Sequence, residues 1–207
     1  MRNPGGQLYN ASLKCQAYTM RNLRKKLLDQ AIAAMIAAIE VYNKPDFKYR
    51  DESFAILAIN AWELLIKARW LMDHGNRIDA LYVYQNVNGR RRVKRNRSGT
   101  PMTYSIDYLA GKLYECRKLP KPVHQNLEIL SDLRNSAVHF YYQKSDFVKK
   151  LHEVANATVK NFYALIKEWF DKDLSHLSIY LMPLAFLSLD EPAKAIILNS
   201  RPHQDLF

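Results

Sequence analysis

The sequence predicts an all-α protein, a bundle of helices interrupted by one short β-hairpin. Apolar residues recur at the spacing of amphipathic helices over long stretches of the 207-residue chain. Only six glycines and eight prolines interrupt them, which favours long regular elements. The hairpin is indicated by Asn88-Gly89, the strongest two-residue signal for a turn between antiparallel strands. A chain of this length suits one domain with a core of its own.

The first helix is predicted over about residues 22–42. Apolar residues repeat at helical spacing from Leu28 to Ile39, and Asn43-Lys44-Pro45 ends the pattern. Residues 1–20 contain Pro4-Gly5-Gly6 and show no clear period. We therefore expect them to form a loosely ordered lead-in.

The second helix is predicted to begin near residues 51–53, which offer two good N-caps, and to end near Asp73. Its narrow polar stripe contains Glu63 and Lys67, four residues apart. Two interpretations of Glu63 remain open. It pairs with Lys67 on a solvated face, or it supports a site by lying beside Arg134 and orienting that side chain.

A basic β-hairpin is predicted as an insert over about residues 80–98. Its first arm is rich in strand formers, among them Tyr82 and Tyr84. The return arm carries a run of cations: Arg90, Arg91, Arg92, Lys94, Arg95 and Arg97. Such a run either remains a solvated surface or binds nucleic acid, with the arginines on phosphates and the two tyrosines stacked on bases. We expect this arm to bind RNA.

Further helices are predicted after the hairpin. Ser105 is a good N-cap for a short helix, and longer helices follow over about residues 123–142 and 147–170. The helical domain is therefore expected to span residues 21–172. Residues 173–207 are expected to form a C-terminal extension that packs on the bundle or trails it.

The formal net charge of +11 favours a polyanionic partner, nucleic acid first and an anionic membrane surface second. No apolar run is long enough to span a bilayer, and the N-terminal residues show no signal-peptide core. Two cysteines are too few for a disulfide framework. We therefore expect a cytoplasmic protein that binds RNA and no membrane.

The motifs of phosphate-binding loops, zinc proteases and serine hydrolases are absent from the sequence. His124, Glu128 and Asp132 follow one another at four-residue steps. This spacing suits either a metal site on one helix face or an ordinary polar surface. The second interpretation is favoured because no other helix offers matching ligands. No metal and no cofactor are expected.

The residues that remain for chemistry are Arg134, Asn135 and His139. Asn135 and His139 share a helix face, and we expect Arg134 to reach that face from its shoulder. Arg134 would neutralise charge on a phosphodiester, while His139 accepts a proton from a ribose 2′-hydroxyl or donates one to the leaving 5′ oxygen. One histidine does not easily do both, so a second His139 from a two-fold related copy is expected. Alternatively, Arg134 is a surface cation and His139 a structural residue of the core.

The segment from Arg134 to His139 resembles the Arg-x(4–6)-His signature of the HEPN superfamily, and Asn135 matches the most typical form of that signature. Residues 61–68 resemble the second helix of the HEPN fold, and a variable insert after that helix also fits. The helix start Phe54-Ala55-Ile56-Leu57 is similar to that of an uncharacterised bacterial family within the superfamily. The resemblance covers roughly residues 21–172.

This resemblance implies a homodimeric bundle of about four or five helices, with two Arg/His motifs meeting in a cleft between the subunits. It implies a metal-independent endoribonuclease of toxin–antitoxin or anti-phage systems, for which 2′,3′-cyclic phosphate and 5′-hydroxyl products are expected. Arg134 and His139 carry over as catalytic residues and Asn135 as their support.

Tyr141 completes an Arg-x4-His-x-Tyr variant of the signature. In toxins with that variant, a partner nucleotidyltransferase acts as antitoxin by adenylylating the tyrosine, so the resemblance makes Tyr141 a candidate modification site. Some domains with the signature only bind nucleotides or proteins. A non-catalytic module that binds nucleic acid or protein is therefore the alternative.

Overall fold

The computed structural model describes residues 5–139 and 144–175, with side chains described from residue 23 onwards, except for residues 140–145. These residues form five α-helices, one 3₁₀ helix and one two-stranded antiparallel sheet, which confirms the all-α class with a small inserted hairpin. The elements in chain order are α1 (Gly5–Tyr42), α2 (Arg50–Asp73), the 3₁₀ helix (Ile78–Leu81), β1 (Tyr84–Val87), β2 (Arg90–Val93), α3 (Ile106–Glu115), α4 (Lys121–His139) and α5 (Lys144–Phe170).

Helix α1 begins earlier than the apolar pattern predicts. It starts at Gly5 rather than near Asn22, so it includes most of the segment expected to be a loose lead-in. No proline lies between Pro4 and Pro45, and a helix therefore meets no backbone obstacle along this segment. The apolar period therefore does not give the length of the helix.

Helix α2 is closed as predicted by a glycine in the left-handed conformation. Gly75 has a φ of 64°, and the Asn76 N–H donates to the Leu71 carbonyl at 2.6 Å. The start of α2 differs slightly from expectation. The helix begins at Arg50, and Asp51, a predicted cap, lies buried in the first turn, where a negative charge interacts favourably with the helix dipole.

One hydrophobic core joins all five helices. Trp62 of α2 is almost fully buried and meets Phe162 of α5 edge to face, with ring centroids 5.4 Å apart. Further along the same two helices, the Arg69 guanidinium lies 5.3 Å from the centre of the Trp169 ring. Because both contacts advance together along the chain, α2 and α5 run parallel to each other.

Helix α4 runs antiparallel to α2. Lys118, just before α4, forms an ion pair with Asp73 at the end of α2 at 3.1 Å. Helix α4 therefore begins where α2 ends and where the chain leaves for the hairpin. We call this the hairpin end of the bundle.

The opposite end, which we call the His139 end, gathers the remaining helix termini. Tyr42, the last residue of α1, contacts Phe54 near the start of α2 with ring centroids 5.0 Å apart. It also contacts His152 near the start of α5 at 6.1 Å. Because α5 follows α4 after a short connection, the last turn of α4 lies at this end as well.

The hairpin has the predicted turn and a slightly later first strand. Strand register runs from Tyr84 opposite Val93 to Val87 opposite Arg90. The turn residues Asn88-Gly89 have φ values of 51° and 73°, so both are left-handed, as a type I′ turn requires. Residues 80 and 81, predicted within the hairpin, instead belong to the 3₁₀ helix, and Tyr82 pairs with Thr103, so strand β1 begins only at residue 84.

Backbone hydrogen bonds join the two chain segments that enter and leave the hairpin. The Lys94 N–H donates to the Val83 carbonyl at 2.8 Å, and the Tyr104 N–H donates to the Leu81 carbonyl at 2.9 Å. Ser105 caps α3 as predicted, since its hydroxyl accepts from the Tyr108 N–H at 3.3 Å. No helix in the described part of the chain is long and apolar enough to cross a membrane.

Candidate functional site

Arg134 lies on the face of α4 that packs into the bundle. Leu130, four residues before it, and Ala137, three residues after it, are both fully buried. Arg134 itself is half-buried, and its Nε is buried with no hydrogen-bond partner among the described residues. Arginine keeps its charge in proteins. A partly desolvated cation with an unused donor is a favourable place for an anion.

His139 and Asn135 lie on the outward face of α4, and both are exposed. The five residues from Arg134 to His139 correspond to a rotation of about 140° and a rise of about 7.5 Å along a helix. On one helix, the guanidinium group therefore faces the bundle while the imidazole faces solvent. The structure keeps Asn135 and His139 together, as predicted, but Arg134 is not on the shoulder of their face.

Glu63 forms an ion pair with Lys67. This pairing is the first of the two interpretations of Glu63 that the sequence left open. The Lys67 ammonium donates to the Glu63 carboxylate at 2.5 Å and to the Thr103 hydroxyl at 3.0 Å. The pair thus fastens α2 to the return segment of the insert. Among the described residues, no contact joins Glu63 to Arg134, so Glu63 does not orient that guanidinium.

The basic residues of the hairpin are exposed, and they divide between its two faces. Side chains alternate along a strand, so Arg90 and Arg92 lie on one face while Arg91 shares the other face with Tyr84. The Arg91 guanidinium lies 4.0 Å from the centre of the Tyr84 ring, a close cation–π contact.

The other predicted RNA-binding residues differ in exposure and in contacts. Tyr82 is only half-exposed and pairs through its backbone with Thr103. Arg95 donates to the Gly99 carbonyl at 2.6 Å, whereas Lys94 and Arg97 are exposed. Tyr84 is half-exposed like Tyr82, whereas Arg91, which lies over the Tyr84 ring, is exposed.

A cleft of about 540 Å³ lies at the base of the hairpin, and sequence reasoning did not find it. It is lined by His74, Arg77, Asp79, Ala80, Tyr84 and Arg91. The Arg77 guanidinium donates to both Asp79 oxygens, at 3.2 and 2.5 Å. This hydrogen bonding lowers the pKa of Asp79 and raises the pKa of Arg77. Only the two-residue spacing of Arg77 and Asp79 signals this pair in the sequence.

The two candidate regions lie at opposite ends of the bundle. The cleft and the hairpin follow α2 at the hairpin end, whereas His139 closes the 19-residue helix α4 at the other end. A helix of that length measures about 28 Å. The arm predicted to bind RNA and the predicted catalytic pair are therefore not neighbours within one subunit.

Two further predictions concern a modification site and a metal. Tyr141 lies outside the described residues. Within the described part of the chain, no group of three or more histidine, cysteine, aspartate or glutamate side chains is arranged to hold a metal ion. His124 instead stacks on Tyr114, with ring centroids 4.9 Å apart, and lies 3.7 Å from the Glu128 carboxylate.

A protein-family model matches most of the chain. Residues 26–206 match the family described as Domain of unknown function (DUF3644), which includes most of the segment predicted as a C-terminal extension. No curated protein and no solved structure matches the chain. The matched region covers most of the 207 residues, and the chain therefore belongs to the DUF3644 family.

Proposed function

We propose that this protein is a metal-independent endoribonuclease of the HEPN type that acts in the cytoplasm as a toxin or anti-phage effector. The observation that carries the proposal is the state of Arg134, a half-buried cation with an unpartnered Nε, five residues before the exposed His139 on α4. Within the described part of the chain, the Nε of this guanidinium donates to no acceptor. A phosphodiester oxygen would supply the missing acceptor.

In the proposed reaction, the ribose 2′ oxygen attacks the adjacent phosphorus. His139 accepts the 2′-hydroxyl proton as the O2′–P bond forms, and the P–O5′ bond breaks as the leaving oxygen takes up a proton. The products are a 2′,3′-cyclic phosphate and a 5′-hydroxyl. Arg134 stabilises the negative charge that develops on the phosphoryl oxygens, and Asn135 shares the exposed face on which His139 acts.

The proposed active form is a homodimer. One α4 helix turns Arg134 and His139 about 140° apart, so a single copy does not direct both groups at the same phosphate from one face. Two copies whose α4 ends meet would bring two guanidinium and two imidazole groups to one cleft. The second His139 would then donate the proton that the leaving oxygen requires.

The test is cleavage of a single-stranded RNA in the presence of EDTA. The expected result is full activity of the wild type, cyclic phosphate ends on its products, and a loss of about 100-fold or more for His139→Ala. Asp132→Ala is the matched control, because Asp132 is exposed on the same helix and takes no part in the reaction. Activity that disappears with EDTA, or an active His139→Ala, would contradict the proposal.

The second candidate function is a binding module without catalysis. The opposed faces of Arg134 and His139 favour it, because in one subunit the pair is not assembled for proton transfer. This alternative expects salt-sensitive RNA binding without cleavage products. A partner antitoxin, such as a nucleotidyltransferase acting on Tyr141, belongs to the first proposal only.

A further inference from the structure

We propose that the cleft at the base of the hairpin binds one nucleotide unit, its base stacked in the cleft and its phosphate held by Arg91. This inference deepens the proposed function, because it names the place where RNA is held. It needs no cleavage, so its test is separate from the test of catalysis. The cleft of about 540 Å³ falls within the usual size range of small-ligand sites, roughly 300–1,000 Å³.

The walls of the cleft are flat and fixed in place. His74 stacks on Trp70, with ring centroids 4.2 Å apart and the planes 26° from parallel. The Trp70 indole N–H donates to the Ala80 carbonyl at 2.9 Å, which ties the end of α2 to the 3₁₀ helix. On the hairpin side, the wall is the stacked pair of Arg91 and Tyr84. Planar walls of this kind favour a planar ligand such as a nucleobase.

The polar groups in the cleft suit the edge of a base. His74 Nδ1 lies 2.8 Å from the Trp70 carbonyl, which can only accept, so Nδ1 must carry the proton. In the neutral ring, His74 Nε2 is then an acceptor. Asp79 receives two hydrogen bonds from Arg77 but has further lone pairs. Both groups are acceptors for the amino and imino hydrogens of a base.

The charge in the cleft suits a phosphate as well. Arg77 and Arg91 together exceed the single negative charge of Asp79, and exposed cations of the return arm lie close by in the sequence. Arg77 is largely committed to Asp79. Arg91 lies over the Tyr84 ring, and its guanidinium N–H groups can bind phosphate oxygens in pairs.

Side chains alternate between the two faces of the hairpin, and this alternation provides a matched control. Arg92 neighbours Arg91 on the same exposed strand, but it lies on the opposite face and does not line the cleft. If the hairpin acts only through distributed charge, Arg91→Lys and Arg92→Lys have the same affinity for RNA, because both variants keep the charge. A cleft that uses the planar guanidinium distinguishes them, since lysine neither stacks nor donates in pairs.

The experiment measures binding of a fluorescein-labelled single-stranded RNA of about eight nucleotides by fluorescence anisotropy. All variants carry His139→Ala, so that the RNA remains intact. We expect Arg91→Lys to weaken binding about tenfold and Arg92→Lys to change it less than about twofold. Circular dichroism confirms that both variants are folded. Equal affinities for the two variants would overturn the proposal.

A competition experiment distinguishes binding of a free nucleotide from binding of a nucleotide within an RNA strand. Displacement of the labelled RNA by AMP, GMP, CMP or UMP, lost in Arg91→Lys, supports a cleft that accepts free nucleotides. Resistance to all four, together with the tenfold loss in Arg91→Lys, supports a cleft that accepts a nucleotide only within a strand. Displacement that is equally efficient in wild type and Arg91→Lys would overturn the role of Arg91.

Discussion

The two ends of the bundle hold positive charge in opposite physical states. At the His139 end, Arg134 is half-buried on the inward face of a helix, with a buried and unpartnered Nε. At the hairpin end, the cations of the return arm are exposed on the two-stranded hairpin. Partial burial strengthens a single charge toward one bound anion, whereas water screens exposed charges and leaves them to act as a group.

The two regions therefore suit different tasks. A desolvated guanidinium held by a packed helix is positioned precisely enough to favour one phosphate geometry. Exposed arginines and lysines raise the local concentration of RNA and set its salt dependence. In our account, the hairpin end collects RNA and the His139 end cuts it, with a separation of about 28 Å along α4.

The largest expected effect comes from removing the charge of Arg134. Arg134→Met keeps a long apolar side chain on the inward face of α4 but loses the guanidinium. We expect the rate of RNA cleavage to fall about 100-fold or more. The free energy of unfolding should stay the same or rise by about 1 kcal/mol, because a buried unsatisfied donor disappears.

Single-turnover cleavage and urea denaturation measure the two effects of Arg134→Met. Arg90→Met serves as the control, because it removes a fully solvated charge from the hairpin. A clear loss of stability in Arg134→Met would show that the guanidinium is a structural group. The contrast between the two ends would then fail.

A smaller effect is expected from the exposed cations. In a variant with Arg90, Arg92 and Arg97 replaced by alanine, the slope of log affinity against log salt should become shallower by about 2, since each contact with a single strand contributes about 0.7. The rate of cleavage at saturating protein should remain unchanged. Titration of labelled RNA at several salt concentrations measures the slope.

Three exposed lysines outside the hairpin provide the control for that variant. Replacing Lys25, Lys26 and Lys121 removes the same charge from other surfaces and should leave the slope nearly unchanged. An equal change in both variants would mean that RNA responds to the total charge of the protein rather than to the hairpin.

The smallest effect concerns the packing beneath the His139 end. Burial, assisted by the nearby Asp51 carboxylate and opposed by Arg50, raises the pKa of Tyr42 from 10.0 to about 12. The folded state therefore favours the neutral phenol. This contribution to stability is fully present below pH 10 and is lost as the pH rises from 10 toward 12.

Tyr42→Phe removes that ionisation. Between pH 9 and pH 11, its free energy of unfolding should fall less than that of the wild type, as measured by denaturant titration at both pH values. Tyr108→Phe, which removes a hydroxyl from an exposed ring, should behave like the wild type. If Tyr42→Phe and the wild type lose stability equally, the Tyr42 hydroxyl is not held in its neutral form by the fold.

Much of the fold could be predicted from the sequence because its signals are local. The Asn88-Gly89 turn, the Gly75 helix stop and the Ser105 cap each depend on the conformational preference of a few residues, and each is confirmed. The early start of α1 could not be predicted in this way. Its first turns lie outside the apolar period on which the prediction depended.

The candidate site was less predictable because it depends on which side of α4 is buried. The spacing of Leu130, Arg134 and Ala137 already indicates an inward Arg134, but the long side chain favoured the assumption that it reaches the outward face. The cleft could not be read from the sequence. His74 and Arg77 lie in the connection after α2, Arg91 lies on β2, and only the fold brings them together.

The most direct test of the division between the two ends is a single-turnover cleavage series against protein concentration. It compares His139→Ala with the variant lacking Arg90, Arg92 and Arg97, on the same RNA. We expect His139→Ala to lower the saturating rate about 100-fold or more at an unchanged half-saturating concentration, and the hairpin variant to raise only that concentration. A hairpin variant with a lost saturating rate, or a His139→Ala protein that still cuts, would contradict it.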